Sequence, residues 1–552
     1  MKVMIEGPVD LFRRSVGEWT IQSNRAYKEP FIDVRVDAVF TAPSGREYKQ
    51  PAFFDGDGIW RVRFNPGEAG AWQMKTVSMP QDPDLEGEQA FAVKDHSTAG
   101  FLRAAPGRAW GFEDEEGAPV FLLGDTTYNL FGAAHCELDV NGFLERRSGQ
   151  GFNLLRVRVP VSPFHPPEGY SEWQTRRTWP WGGSEQSPRF DRFNLDYFAS
   201  VDRVVAKAES LGLGLEMIME AWGFEFPFNS RHLFTPEWEE VWLRYLVARY
   251  DAYNCLYFWT LMNEYEYYPD GDWRYNPLAD RWAIRMARWL KDTACHGHIV
   301  SIHNGPRTPS FAQRLSADPG AVDHIMFQSW GTTGRENGWL AAGIDQEITA
   351  AFDGWAGTSL LSEFGYERNP TLPRIFPGHD FCDVEHMRRA AWRGFFCGQC
   401  IITGFEHTWG PFMILDQDQP SLAELQHLHR FATEMVPFHT LRPASELLVD
   451  EDYARGYAPL VLADSGGTLV AVYFPAGGEA RLALGADSTY SMQWYDTTTG
   501  ILTDELPADS GDLFRPPADS NTARPQDWVL LLHAGADDAV GKGSGVGDRD
   551  LL

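Results

Sequence analysis

Between about residues 118 and 435 the chain repeats one pattern eight times: a short apolar run that ends in polar or aromatic residues, then a longer stretch. The runs are "PVFLLGDTTY", "FNLLRVRVP", "LGLEMIMEAW", "CLYFWTLMNE", "HIVSIHNG", "DHIMFQSWG", "SLLSEFGYE" and "IITGFEHTWG". Continuous apolar runs of this length suit strands buried on both faces. Between them lie helical patterns such as "LDYFASVDRVVAKAESLG" and "PEWEEVWLRYLVARYDAY". The second opens on Pro236 and carries Trp238, Val241, Trp242 and Tyr245 at helical spacing. This alternation predicts an α/β fold, a (β/α)8 TIM barrel. A doubly wound sheet would bring a glycine-rich phosphate turn after an early strand. "FLLGDTTYN" has none, and no G-x-x-x-x-G-K-[ST] occurs anywhere.

The flanks read differently. Residues 1–105 hold short alternating runs, "FIDVRVDAVFTAP", "GIWRVRFNP", "GAWQMKTVSM" and "QAFAVKD", broken by Gly, Pro, Asp and Asn. They predict an N-terminal β-sandwich. The barrel is assigned to 106–437 and a C-terminal β-sandwich to 438–535, on "LVLADSGGTLVAVYFPAG", "YSMQWYDTTTGIL" and "DWVLLLHAG". The Gly- and Asp-rich residues 536–552 are expected to be a disordered tail.

A net charge of −29 leaves no basic face for a phosphate backbone, so nucleic acid is not an expected partner. No stretch approaches the roughly 20 apolar residues of a membrane span. The first residues, "MKVMIEGPVDLFRRSV", lack the apolar region of a signal peptide, which makes the cytoplasm the expected compartment. Homo-oligomerisation stays open. Six cysteines are too few for a disulfide scaffold, and the lone C-x-x-C of "FFCGQC" reads as core thiols on a buried helix. The 21 tryptophans fit either sugar-stacking surfaces or large cores, and composition does not choose between them.

In such barrels the chemistry sits at the C-terminal strand ends. Those ends supply Asp125, then Arg156 and Arg158, then Glu220 and Trp222, then Asn263 and Glu264. They continue with His303 and Asn304, Gln328 and Trp330, Glu363, and finally Glu406, His407 and Trp409. Carboxyls on strands four and seven suit glycoside hydrolysis, which needs one protonated acid and one carboxylate across the scissile bond. Asn263 is placed to hydrogen-bond a sugar hydroxyl, and at least one of the two arginines should pair with a barrel carboxylate.

"LMNEYEYY" and "LLSEFGYE" resemble the strand-four Asn-Glu and strand-seven Glu of the large clan of retaining (β/α)8 glycoside hydrolases. "FLLGDTTYNLF" between two β-domains resembles, more narrowly, the apiosidase-like group, with its DUF5060-type N-terminal domain, DUF4038-type barrel and small C-terminal domain bearing a collagen-binding label. The resemblance implies Glu264 as acid/base, Glu363 as nucleophile and Trp409 as a stacking floor. It also implies that Asp125 and Arg158 brace the sugar or the nucleophile, with Trp222, Asn263, His303, Gln328 and Trp330 completing a carbohydrate site. No cofactor or metal is implied. One departure is that many clan members orient the nucleophile with a His or Tyr near the end of strand six, where this chain has Gln328 and Trp330.

Some alternatives remain. Glu266 competes with Glu264, being two residues on. "HGH" at 296–298 suggests a metal, but at the wrong end of the barrel, and "EDEEG" and "DQDQP" lack calcium-loop spacing. A non-catalytic carbohydrate-binding protein on a degenerate barrel and a metal-dependent hydrolase are the competing functions. Sugar identity, anomer and linkage are not legible.

Overall fold

The computed structural model describes residues 5–96, 98–107, 110–161, 178–272, 274–305, 310–331, 341–369, 382–409, 415–449, 458–485, 489–517 and 526–535. The tail assigned to 536–552 lies outside the described residues.

The eight apolar runs form eight strands: β1 (Leu123–Thr126), β2 (Leu154–Arg158), β3 (Gly214–Trp222), β4 (Leu256–Asn263), β5 (Ile299–His303), β6 (His324–Gln328), β7 (Thr358–Glu363) and β8 (Cys400–Gly404). Each pairs in parallel with the next, and β1 also pairs with β8, closing the barrel. Nearly every residue on them is buried, as expected when side chains fill the interior and helices cover the outside. Local chemistry fixes the helices. Leu195–Leu211 starts at Asn194, whose side chain accepts from Tyr197 N, and stops at Gly212 in the left-handed region (φ +64°). Pro236–Tyr250 and Pro277–Thr293 both begin with proline, which has no amide hydrogen to leave unpaired. No described helix is long and apolar enough to cross a membrane.

On the N-terminal side a four-stranded and a five-stranded sheet enclose Trp19, Phe40, Phe64, Trp72 and Phe91. Phe40 and Phe64 stack with centroids 4.0 Å apart. On the C-terminal side a six-stranded antiparallel sheet packs with a two-stranded one around Val472, Phe474, Trp494, Phe514 and Leu530. Buried ion pairs join these units to the barrel. Arg63 reaches Asp202 at 2.8 Å, and Asp527 receives Arg388 Nε at 2.9 Å and Arg389 Nε at 2.8 Å.

Two local expectations need correction. The helix Val384–Phe396 ends before the C-x-x-C: Cys397 caps it, Gly398 turns at φ +75°, and Cys400 begins β8. The helix-like apolar run "FFCGQC" conceals a helix-to-strand turn made at Gly398. Glu406, His407 and Trp409 lie on a short helix beyond β8 rather than on the strand. A hairpin of Trp181–Ser184 and Ser187–Phe193, following β2, has no counterpart in the sequence reading.

Candidate active site

At the end of β4 the backbone leaves the extended conformation abruptly. Glu264 sits at φ +50°, ψ +52°, a left-handed geometry that costs a residue with a Cβ on the order of 1–3 kcal/mol. The following turn, Tyr265–Tyr267, is pinned from behind. Glu266 accepts from Gly305 N at 2.6 Å and from Arg314 Nη1 at 3.0 Å, and Arg314 also holds Asp280 at 2.9 Å and Tyr265 OH at 2.6 Å. Both oxygens of Glu266 are therefore engaged, and its neighbour two residues back is the one facing the mouth. The Glu264 carboxyl receives Gln328 Nε2 at 3.1 Å. Burial, reinforced by the nearby Glu363 charge, pushes its pKa up to about 8.

Glu363, at the end of β7, meets the opposite surroundings. Its Oε2 lies 3.1 Å from Arg156 Nη1, 3.3 Å from Tyr128 OH and 3.4 Å from His303 Nε2. Arg156 is fully buried on β2. It also donates through Nη2 to Asn263 Oδ1 and faces Glu216 at 3.5 Å, too far for a hydrogen bond. His303 accepts from Glu264 N through Nδ1 at 3.3 Å, which leaves the ring proton on Nε2, toward Glu363. Burial and Arg156 hold this imidazole well below its ordinary pKa, so it is neutral. One ring thus touches the backbone of one glutamate and the carboxyl of the other. Asn263 has its oxygen held by Arg156, while its buried Nδ2 has no hydrogen-bond partner.

Aromatic rings border these groups. Tyr128, Ile218 and Trp222 form a small cluster, separate from the main core, against which Phe224 and Trp409 pack. Tyr366 lies between Trp409 and Trp330, with centroids 4.6 and 5.6 Å away. Arg158 pairs with Glu225 and stacks over Trp222 at 4.4 Å. The arrangement presents a carboxyl with a raised pKa, a second carboxyl beside a guanidinium, a phenol and an imidazole, and flat apolar faces within one barrel mouth.

Residues 108–421 match the family described as "Apiosidase-like, catalytic domain". That span is more than half the chain and contains all eight barrel strands. The chain belongs to the apiosidase-like family. Residues 15–79 match DUF5060, a domain of unknown function, and 443–533 match "Putative collagen-binding domain of a collagenase". No curated protein matches in sequence. Among similar solved structures is a "putative glycoside hydrolase" from Bacteroides vulgatus ATCC 8482, with 17% identity, a TM-score of 0.67, and 95% of this chain and 100% of that chain covered. A glycoside hydrolase family 5 structure from the same strain has 17% identity and a TM-score of 0.60, covering 81% of this chain and 96% of that one. At such identity the likeness is one of fold.

Within the apiosidase-like barrel, Glu264, Glu363, Asn263, His303 and Gln328 form one connected set. Trp222, Trp330 and Trp409 belong to its aromatic border. Asp125 lies deeper, fully buried, accepting from Arg147 at 2.8 Å and Thr408 at 3.3 Å. Arg156 touches Glu363, whereas Arg158, one strand layer further out, touches Glu225. Sequence reasoning missed Tyr128 and Tyr366, although both sit within three residues of a singled-out acid. Among the described residues, the side chains with metal-ligand character that come together are Asp251, Cys295 and His296, below the barrel. Both His296 nitrogens are engaged there, by Asp251 at 2.7 Å and by Asn65 N at 3.1 Å, and Cys295 Sγ lies 3.1 Å from Gln50 Oε1. An ion would have to displace existing hydrogen bonds.

Proposed function

We propose that the protein is a retaining glycoside hydrolase that cleaves a terminal glycosidic bond of an oligo- or polysaccharide. The observation that carries the reading is the contrast between two neighbouring carboxyls. Glu264 keeps its proton to about pH 8, while Glu363 is ringed by a guanidinium, a phenol and an imidazole. In this reading Glu363 attacks the anomeric carbon as Glu264 gives its proton to the departing oxygen. Glu264 then takes a proton from the water that releases the sugar. The unpartnered Asn263 Nδ2 donates to a ring hydroxyl, and Trp409, with Trp222 and Trp330, offers faces for stacking. His303 and Gln328 hold the two carboxyls in register, and Asp125 and Arg158 brace the wall behind them.

A panel of aryl glycosides, both anomers, furanoside and pyranoside, identifies the sugar. Azide added to Glu363→Ala should then give a glycosyl azide of inverted configuration. Turnover at the wild-type rate by both Glu363→Ala and Glu264→Ala excludes the two-carboxyl mechanism.

A further inference from the structure

Tyr128 OH has one proton and three oxygen neighbours: Glu363 Oε2 at 3.3 Å, Tyr366 OH at 3.4 Å and Asn263 Oδ1 at 3.5 Å. Both Asn263 Oδ1 and Glu363 Oε2 accept from the Arg156 guanidinium, but Oε2 is nearer to the phenol and belongs to the acidic group, so it is the better acceptor. With its proton on Glu363, Tyr128 can only accept from Tyr366. The chain is built to place that second phenol. Gly365, at φ +124°, turns the backbone after β7, and Tyr366 then lies flat on Gly404 at the end of β8. A Cβ on Gly404 would stand 2.3 Å from the Tyr366 ring. The same ring is wedged between Trp330 and Trp409. Burial keeps both phenols protonated. The hydrogen bonds that reach Glu363, from Arg156 and Tyr128, both land on Oε2, and Oε1 receives none among the described residues.

We infer that Tyr366 and Tyr128 form a hydroxyl chain, donating in series to Oε2 of Glu363, that positions this carboxylate and leaves Oε1 as the attacking oxygen. This rests on the retaining mechanism proposed above: Oε1 bonds to the anomeric carbon as the glycosidic C–O bond breaks, and the Glu264 proton goes to the departing oxygen. The chain takes the place of a strand-six nucleophile contact, and it begins in the aromatic border, so the groups that would stack on sugar also hold the first phenol.

The test is a carbon-13 titration of glutamate-labelled protein, with the Glu363 signal assigned by its loss in Glu363→Gln. Tyr128→Phe is expected to raise the Glu363 titration by about one to two pH units, and the acid limb of kcat/KM with it. Tyr366→Phe should raise it by less, and the double variant should match Tyr128→Phe alone, because Tyr366 acts only through Tyr128. Gly404→Ala, which displaces the ring but keeps the hydroxyl, should copy Tyr366→Phe and serves if Tyr128→Phe fails to fold. A titration unmoved by Tyr366→Phe and Gly404→Ala, or additive shifts in the double variant, overturns the chain. Turnover retained by Glu363→Ala would instead overturn the mechanism and leave the titration result standing.

Discussion

Two carboxyls at opposite ends of the barrel are both buried and behave in opposite ways. At the closed end, Asp251 accepts from His296 Nδ1 at 2.7 Å, from the amides of Cys295 and His296 at 3.1 and 3.2 Å, and from Trp259 Nε1 at 3.3 Å. Burial alone would raise its pKa, but these contacts and His296 outweigh it and bring it down to about 2. At the open end, Glu264 has one amide donor and a neighbouring negative charge, and burial carries its pKa up to about 8. Depth therefore does not decide the charge state; the neighbouring charge and the hydrogen-bond donors do. A saturated acid with its histidine fastens the N-terminal domain, through Asn65, to the barrel. In the proposed mechanism the undersupplied one is the acid that gives up a proton.

The sharpest test of this contrast is to neutralise an acid at each end. Glu264→Ala and Glu363→Ala should each lower kcat on the order of 10³-fold or more, with melting curves like the wild type. Asp251→Asn should do the reverse. It sets an amide NH2 among N–H donors, and urea unfolding should report a loss of about 3–5 kcal/mol while the folded fraction keeps its turnover. Equal activity losses at both ends would dissolve the distinction.

Acidity should separate the ends again. Asp251 has a folded-state pKa below its unfolded one, so its stabilisation is complete above about pH 3.8 and drains away as pH falls toward about 2. For Glu264 the sign is opposite. Between about pH 4.5 and 8 the unfolded chain releases this proton and the folded chain retains it, so stability declines through that window. Glu264→Gln, which has no proton to retain, should raise the thermal midpoint at pH 8 and leave it unchanged near pH 4. Activity of the wild type should fall above about pH 8, where the donor loses its proton. The smallest effect belongs to Gln328. Its hydrogen bond lowers the Glu264 pKa, so Gln328→Leu should move the alkaline limb of kcat/KM upward, by less than about one pH unit.

Much of the open end was within reach of the residue string, whereas Asp251 was not singled out. The strand ends name Glu264, Glu363, Asn263, His303 and Gln328, because a parallel barrel puts every strand terminus of one polarity at the same rim. What the string hides is layer and reach. Arg156 and Arg158 share a face by alternation, yet only Arg156 stands level with Glu363, and Glu225, which takes Arg158, comes from a loop beyond β3. Tyr128 and Tyr366 follow β1 and β7, where no periodicity applies, and for Tyr366 the torsion of Gly365 sets direction. The left-handed turn at Glu264 is likewise invisible, since nothing local requires it: the lock is Glu266 on Gly305 and Arg314, about 40 to 50 residues away.

Asp527 sits just before the last strand of the C-terminal sheet, yet both its oxygens are spent on Arg388 and Arg389 of a barrel helix. Excising the region after residue 440 to obtain a minimal catalytic unit would remove the carboxylate that Arg388 and Arg389 share and leave them with Glu424 and Glu385 alone. The charge pairing of this barrel helix is thus completed only by the C-terminal sheet, from a residue more than a hundred positions past the last rim acid.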